Sequence, residues 1–421
     1  MQPGGPFDYI RDWRRAFYET GWWHSFELPD GTRIRGVCGL DELRHRIAQF
    51  PIPCNLTGKR VLDVGAWDGW FSFEMERRGA EVVAIDCWDN PRFRQMHGTL
   101  GSRVDYRIMD LYDISPRRLG RFDVVLFLGV LYHLRHPLLG LERVCAVTSG
   151  MAAVESFVVR PEHRPGEDVA SRPILEFYET GELGGETDNW FGPNLPGLLA
   201  LCRAAGFPRA EFQALLSNGA AVSCYRDWEP PPPEAAAAPV LIDVCQARNY
   251  GINLRADRDE YLSCWFEYPA DALAAADLRP EVGAFGARAV YLGRVAENRW
   301  QANFRLPPGL DPGWHEVRLR TAASARSNAC RIAVDLPLPA AALKVVNDVR
   351  QGDSISLWVE GLPDNADRAN VEILLDGAPA QITYLEPYGT GKPRQVNVRT
   401  RDSALIQRIE ARLNSTTFAQ T

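Results

Sequence analysis

Between residues 59 and 160, short apolar runs alternate with segments whose apolar positions recur at helical spacing. The runs predict strands at 61–64, 81–86, 104–109, 123–128 and 152–159, and the amphipathic segments predict helices at 71–78, 91–100, 137–147 and 193–205. Uninterrupted apolar strands separated by helices imply a parallel sheet buried on both faces, joined by right-handed crossovers. Two further runs, 210–216 and 220–225, flank Asn218-Gly219 and predict an antiparallel hairpin. Ahead of this region, 7–18 reads as a helix, Pro29-Asp30-Gly31 as the turn of a small hairpin, and 41–50 as a helix with Asp41 at its N-cap, stopped by Pro51 and Pro53.

The pattern changes at 230–239, where four prolines precede a run of alanines, a composition that makes a semi-rigid linker. Beyond it the period becomes two, with strands expected at 240–245, 261–268, 289–294, 300–306, 315–320 and 331–335. After a second Leu-Pro-Leu-Pro break at 336–339 come 354–359, 371–375, 381–385, 395–400 and 406–413. Short strands with turns between them predict β-sandwich modules. The expected organisation is a helical and hairpin lead-in or lid at 1–58, an α/β domain at 59–228, a linker at 229–239, and β-sandwich modules at 240–336 and 340–421.

Composition narrows the class. A length of 421 residues suits two or three domains, and 46% hydrophobic with 24% charged residues is globular. No apolar run is long enough to span a bilayer, and residues 1–15 lack the apolar stretch of a signal peptide, so a membrane partner is not expected. The nine cysteines are scattered without C-x-x-C spacing, which predicts neither a metal site nor a disulfide framework and suits a reducing cytoplasm. A net charge of −7 argues against broad nucleic-acid binding. Nothing in the pattern reads out an oligomeric state.

The candidate chemistry lies at the strand ends. Asp63 and the turn Gly65-Ala66-Trp67-Asp68-Gly69 end the first strand, Asp86-Cys87 the second, Asp110-Leu111 the third, and Gly129 to His133 the fourth. In an open α/β sheet the ligand lies across this edge. Glycines let a ligand approach the backbone, an acid after strand two can accept both ribose hydroxyls, and an acid after strand three can accept from an adenine amino group. The set suits adenosine without a pyrophosphate. Two histidines stand near this edge: His133 reads either as a general base or as a buttress of its loop, and His24 is a second candidate from the lead-in. Trp23 reads as a core anchor or as part of a lid over the ligand. Glu155 in strand five and Trp190 in the following polar stretch read as acceptor-pocket walls or as structural residues.

The runs Asp63-Val64-Gly65-Ala66-Trp67-Asp68-Gly69 and 122–134, with Asp86 and Asp110, resemble the class I S-adenosylmethionine-dependent methyltransferases. Gly129-Val130-Leu131-Tyr132-His133-Leu134-Arg135-His136-Pro137 and Asn189 to Asn194 resemble the branch that contains the tRNA wobble-uridine 5-oxyacetic acid synthase. The resemblance implies a Rossmann-like seven-stranded α/β sheet with a terminal antiparallel hairpin, followed here by immunoglobulin-like β-sandwich modules. It implies S-adenosyl-L-methionine as cofactor, with Gly65, Ala66, Trp67, Asp68 and Gly69 at its methionine and ribose, Asp86 and Cys87 at the ribose, Asp110 and Leu111 at the adenine, and Gly129 under the sulfonium. Tyr132 matches a tyrosine of the branch. Two departures stand out: Trp67 occupies the central glycine position of the usual turn, and no basic residue matches those that would hold the carboxylated donor of the tRNA enzyme. The expected activity is O-methylation of a small molecule or glycan. A tRNA wobble-uridine acceptor and a degenerate domain serving as a scaffold are the alternatives.

Overall fold

A computed structural model describes residues 8–217, 219–270, 272–388 and 392–413. Asn218 of the expected hairpin turn, residues 1–7, and residues 389–391 and 414–421 of the last expected module lie outside the described residues. Backbone contacts divide the chain into two compact units, Met1–Trp228 and Glu229–Thr421.

The first unit opens with α1 (Asp8–Thr20), a short hairpin (Phe26–Glu27 with Arg33–Ile34) and α2 (Leu40–Ala48). Then follow β1 (Arg60–Val64), α3 (Trp70–Arg77), β2 (Glu81–Asp86), α4 (Pro91–Leu100), β3 (Asp105–Ile108), β4 (Phe122–Leu128), α5 (Pro137–Val147), β5 (Thr148–Phe157), α6 (Leu195–Ala204), β6 (Arg209–Leu215) and β7 (Gly219–Tyr225). The sheet order is β6-β7-β5-β4-β1-β2-β3. Strands β1 to β5 pair in parallel, and β7 runs antiparallel to both β5 and β6.

The period-2 geometry of the strands sorts their side chains between two cores. Val61, Val82, Ala84, Val124, Leu126, Met151 and Ala153 pack with α3, α4 and the lead-in. Leu62, Val64, Val83, Ile85, Val125, Phe127, Ala152 and Val154 pack on the other face with α5 and α6. Both faces are covered, so these strands read as continuous apolar runs.

Helix starts follow local chemistry. Asn90 caps α4 by accepting from the Arg92 N–H at 2.9 Å, ahead of Pro91 at the first helical position. Asn194 caps α6 through the Gly197 N–H at 2.7 Å, so the helix starts at Leu195 and the expected first residue, Pro193, lies in a strand paired with 175–177. Asp41 is not the cap of α2. Gly39 holds that position without a side-chain bond, and Asp41 sits in the first turn, where its charge faces the positive end of the helix.

In the second unit, Val240–Gln246, Tyr261–Glu267, Arg299–Arg305 and Ala289–Ala296 form one sheet, and Asn253–Leu254, Cys330–Val334, Gly313–Thr321, Leu278–Val282 and Phe285–Gly286 form another. Leu262, Cys264, Phe266, Ala302, Phe304, Val317, Leu319 and Ile332 belong to their common core. A second core, built on Ile355, Leu357, Val359, Ile373, Val396 and Val398, belongs to the sheets of 344–399 and 371–413. Besides two-residue strands, two longer ones escape the sequence pattern. Leu278–Val282 contains Pro280, and Lys344–Gln351 is an edge strand with mostly exposed polar residues. The proline-rich segment is partly paired: the Ala236 N–H donates to the Ala323 carbonyl and the Ala325 N–H to the Ala236 carbonyl.

The second break, 336–339, is held by a buried polar knot. The Asp367 carboxylate accepts from the Ile252 N–H (2.7 Å), the Asn253 N–H (3.0 Å), the Ala369 N–H (2.8 Å) and the Asn370 N–H (3.1 Å). Asn365 and Asn253 both donate to the Leu336 carbonyl. Asp367→Ala leaves several of these donors without a partner and is expected to destabilise the second unit by about 3 kcal/mol in urea denaturation, whereas Asp367→Asn keeps acceptors at one oxygen and costs less.

Candidate functional site

The turn after β1 is built by hydrogen bonds that sequence alone does not show. The Gly65 and Ala66 N–H groups both donate to the Ile85 carbonyl (2.9 and 3.1 Å), and Gly69 caps α3 with a φ of +95°. A Cβ on Gly69 would lie 2.6 Å from the Phe73 ring and 2.7 Å from that of Phe93, so only glycine fits. Trp67 also adopts a left-handed φ, +53°, which costs an L-residue about 1 kcal/mol. Its N–H donates to Asp86 Oδ2 at 2.9 Å, tying the turn after β1 to the acid that ends β2. Asp86 is 7% exposed, and burial raises its carboxyl above the ordinary value against the pull of the Trp67 N–H. The exposed Cys87 thiol is raised as well, by burial and by the Asp86 charge.

Asp63 is deeper than a ligand contact requires. It is 3% exposed, accepts from the Ser72 hydroxyl at 2.6 Å, and burial pushes its carboxyl up to about 6. Its folded-state pKa stands above the unfolded value, so ionising it in the folded protein costs stability as pH rises through the range between the two. Asp63→Asn is therefore expected to stabilise the protein at pH 7 by at most about 3 kcal/mol, with no gain below pH 4, as read from urea denaturation at both pH values.

Asp68 faces the lead-in. Its Oδ2 accepts from the Trp23 N–H (2.8 Å) and the His24 N–H (3.0 Å), and its Oδ1 pairs with His24 Nδ1. Asp68 is 1% and His24 4% exposed. The Asp68 carboxylate thus accepts from the protein's own donors, and the buried His24 ring latches the lead-in to the turn with its edge against Phe71. The same latch brings Trp23 beside Trp67, at 6.5 Å between ring centroids, and Trp88 also meets Trp67 edge-on, at 5.7 Å.

After β3, Asp110 is exposed and caps a single 3₁₀ turn by accepting from the Tyr112 N–H at 2.8 Å. The Leu111 side chain points into the core, so only its backbone can serve a ligand at that edge.

After β4, Gly129 has a φ of +74°, and its N–H donates to the Glu155 carbonyl at 3.0 Å. A Cβ here would point into a small polar niche, 3.4 Å from the Tyr132 hydroxyl and 3.8 Å from Glu155 Oε2. Glu155 Oε2 is 2.5 Å from Arg46 Nη2, contributed by α2. Both members of this pair are largely buried, and the carboxylate raises the guanidinium further above its ordinary value against the cost of burial. Arg46 had no signal in the sequence, where it reads as one more polar position on an amphipathic helix. It reaches the site because Leu43 and Ile47 of the same helix are buried in the core.

His133 does not share the niche. Its Nδ1 lies 3.3 Å from the Asp188 carbonyl and 3.5 Å from Asp188 Oδ2. The side chain is 39% exposed, yet the protein packed on its other faces lowers the imidazole below its ordinary value despite Asp188. Trp190 holds this segment to the loop: its N–H donates to the Tyr132 carbonyl at 2.7 Å, and its ring lies under the Arg135 guanidinium, 4.1 Å away.

A seven-stranded sheet with one reversed strand, a glycine turn after β1, acids after β2 and β3, and a glycine niche after β4 define the class I methyltransferase domain. In agreement, residues 33–160 match a family described as a methyltransferase domain. A ubiquinone biosynthesis O-methyltransferase of Xanthomonas oryzae pv. oryzae is 38% identical over 94 residues, 22% of this chain and 39% of that protein. A tRNA U34 carboxymethyltransferase of Stutzerimonas stutzeri is 31% identical over 163 residues, 36% of this chain and 46% of that protein. The chain thus spans less than half the length of these relatives, 39% of the one and 46% of the other. Among solved structures, the N-terminal domain of EvdMO1, determined in the presence of SAH and D-fucose, aligns with 53% of this chain and 99% of its own at 22% identity and a TM-score of 0.37. S-adenosylmethionine is the cofactor of this class. The residues fit it at two points: the Gly129 niche, which any side chain would fill, and Asp86, a buried acid beside an open glycine turn.

Proposed function

We propose that the N-terminal unit transfers a methyl group from S-adenosylmethionine to a hydroxyl of a small-molecule or glycan acceptor. The observation that carries this reading is the niche at Gly129, where the Tyr132 hydroxyl and the Glu155 carboxylate converge beside the end of β4. Bound there, the cofactor supplies an electrophilic methyl carbon. The task of the protein is to align the acceptor oxygen with that carbon and to keep water out. Tyr132 and Glu155 would hold the acceptor hydroxyl by hydrogen bonds, with its oxygen lone pair aimed toward the methyl group that a donor bound beside Gly129 would supply. The hydroxyl proton passes to the Glu155 carboxylate. Arg46 keeps that carboxylate in place and leaves the pair without net charge, which suits a neutral acceptor. His133, with its pKa lowered, is neutral at pH 7 and buttresses the Tyr132 loop through Asp188.

Isothermal calorimetry with S-adenosylmethionine and S-adenosylhomocysteine tests the reading. Binding of both is expected, and the reading fails if neither binds. Transfer of label from methyl-tritiated S-adenosylmethionine to a panel of hydroxylated compounds then reports the acceptor class.

The tRNA relative motivates a second reading, a wobble-uridine acceptor. A carboxylated donor needs a cation to hold its extra carboxylate, and Arg46 is already paired with Glu155. The net charge of −7 also weighs against it. Mass spectrometry of tRNA nucleosides from a deletion strain is expected to show an unchanged profile, and a missing wobble-uridine derivative would restore this second reading.

A further inference from the structure

Trp67 stands where an ordinary turn of this kind has glycine, in a left-handed backbone conformation that glycine adopts freely and tryptophan does not. Strain of this sort persists only where surrounding structure enforces it, and it concentrates at ligand sites. Three contacts enforce it here. The Trp67 N–H is bonded to Asp86, and its ring makes edge-to-face contacts with Trp23 and with Trp88. Trp23 is itself fixed by the bond from its N–H to Asp68. Yet 36% of Trp67 and 43% of Trp88 remain exposed, an unusual allotment for two large indoles that already have aromatic neighbours. Both residues are tied to Asp86, Trp67 through its N–H and Trp88 by lying two positions on in the chain.

We propose that Trp67 and Trp88, backed by Trp23, form an aromatic clamp on the adenosine half of the donor. The inference rests on the methyltransferase reading and extends it: the lost glycine is replaced by a stacking surface, so this turn holds the nucleoside through π-contact in addition to backbone approach. A ribose or purine face against an indole is a sequence-tolerant contact of the strength seen when bases stack on aromatic side chains. The clamp is built from both sides, because Trp23 comes from the lead-in and the other two from the sheet edge.

The test is calorimetric titration of the full chain with S-adenosylhomocysteine, and with adenosine as competitor, for the wild type, Trp67→Gly, Trp67→Phe and Trp88→Ala. Trp67→Gly suits the backbone angle and removes the ring. It is expected to weaken S-adenosylhomocysteine binding about tenfold and to weaken adenosine competition in parallel, and Trp88→Ala, on a half-exposed residue, is expected to do the same. Trp67→Phe retains a ring and stays within about threefold of the wild type. Unchanged or tighter binding in Trp67→Gly and Trp88→Ala overturns the clamp while leaving the methyltransferase reading intact. Weaker S-adenosylhomocysteine binding with unaltered adenosine competition overturns it too, since the contact would then be with the amino-acid half. A wild type that binds no S-adenosylhomocysteine removes both proposals together.

Discussion

Asp68→Ala is expected to lower the stability of the N-terminal unit by about 4 kcal/mol. The carboxylate removed is 1% exposed and serves three groups, the Trp23 N–H, the His24 N–H and the His24 ring. Alanine removes the acceptor of all three, two of them on the buried His24, at about 1–3 kcal/mol for each buried donor, and water entering the space recovers part of that. The loss is local in origin: the lead-in should detach before the sheet unfolds. Amide hydrogen exchange is therefore expected to rise first at the protected amides of 22–38, with the sheet amides of 61–64 and 124–127 following only at higher denaturant. Exchange that rises uniformly over the whole unit would show that the latch is not a separate cooperative element. Asp68→Asn keeps an acceptor for the backbone donors and is expected to cost about half as much.

Asp86→Ala is expected to reduce donor affinity at least 100-fold, below detection in a calorimetric titration. Hydrogen bonds to a carboxylate are worth about 1.5–3 kcal/mol each, and a ribose offers two hydroxyls to one acid. The same substitution releases the Trp67 N–H, so the turn after β1 loses its tie to β2 and the effect exceeds that of a simple ligand contact. A milder change, Asp86→Asn, retains an acceptor for Trp67 and offers the ribose a weaker partner. It should bind S-adenosylhomocysteine measurably but weakly. If Asp86→Ala binds as the wild type does, the adenosine does not lie at this edge.

The centre of the sheet was legible because β1, β2 and β4 are buried on both faces, which writes them as runs rich in Val, Leu, Ile and Phe. Strand β2 and helices α4 and α5 fall on the expected residues for that reason. The acids and glycines at the strand ends could also be found, since topology alone brings those ends to one edge. Their individual roles could not. Asp68 and His24 look like ligand groups in the sequence, and their pairing with each other shows only when residues 44 positions apart meet. Glu155 was visible as an acid in an apolar strand, but its partner Arg46, 109 positions earlier, was hidden among the polar residues of an amphipathic helix. Lys344–Gln351 was missed because an edge strand exposes most of its side chains and so loses the alternation that marks its neighbours.

The pairing of Arg46 with Glu155 bears on how the molecule is made. Residues near 46 leave the ribosome first, but their partner is at the end of β5. Contacts so distant in sequence form slowly and late, after the intervening strands have paired. The niche at Gly129 is therefore finished only after the fifth strand has been made and is in place, when the waiting α2 can dock on it. A chain arrested before residue 155 holds the glycine turn and Asp86 but lacks half of the acceptor wall, so donor capture and methyl transfer should mature at different chain lengths.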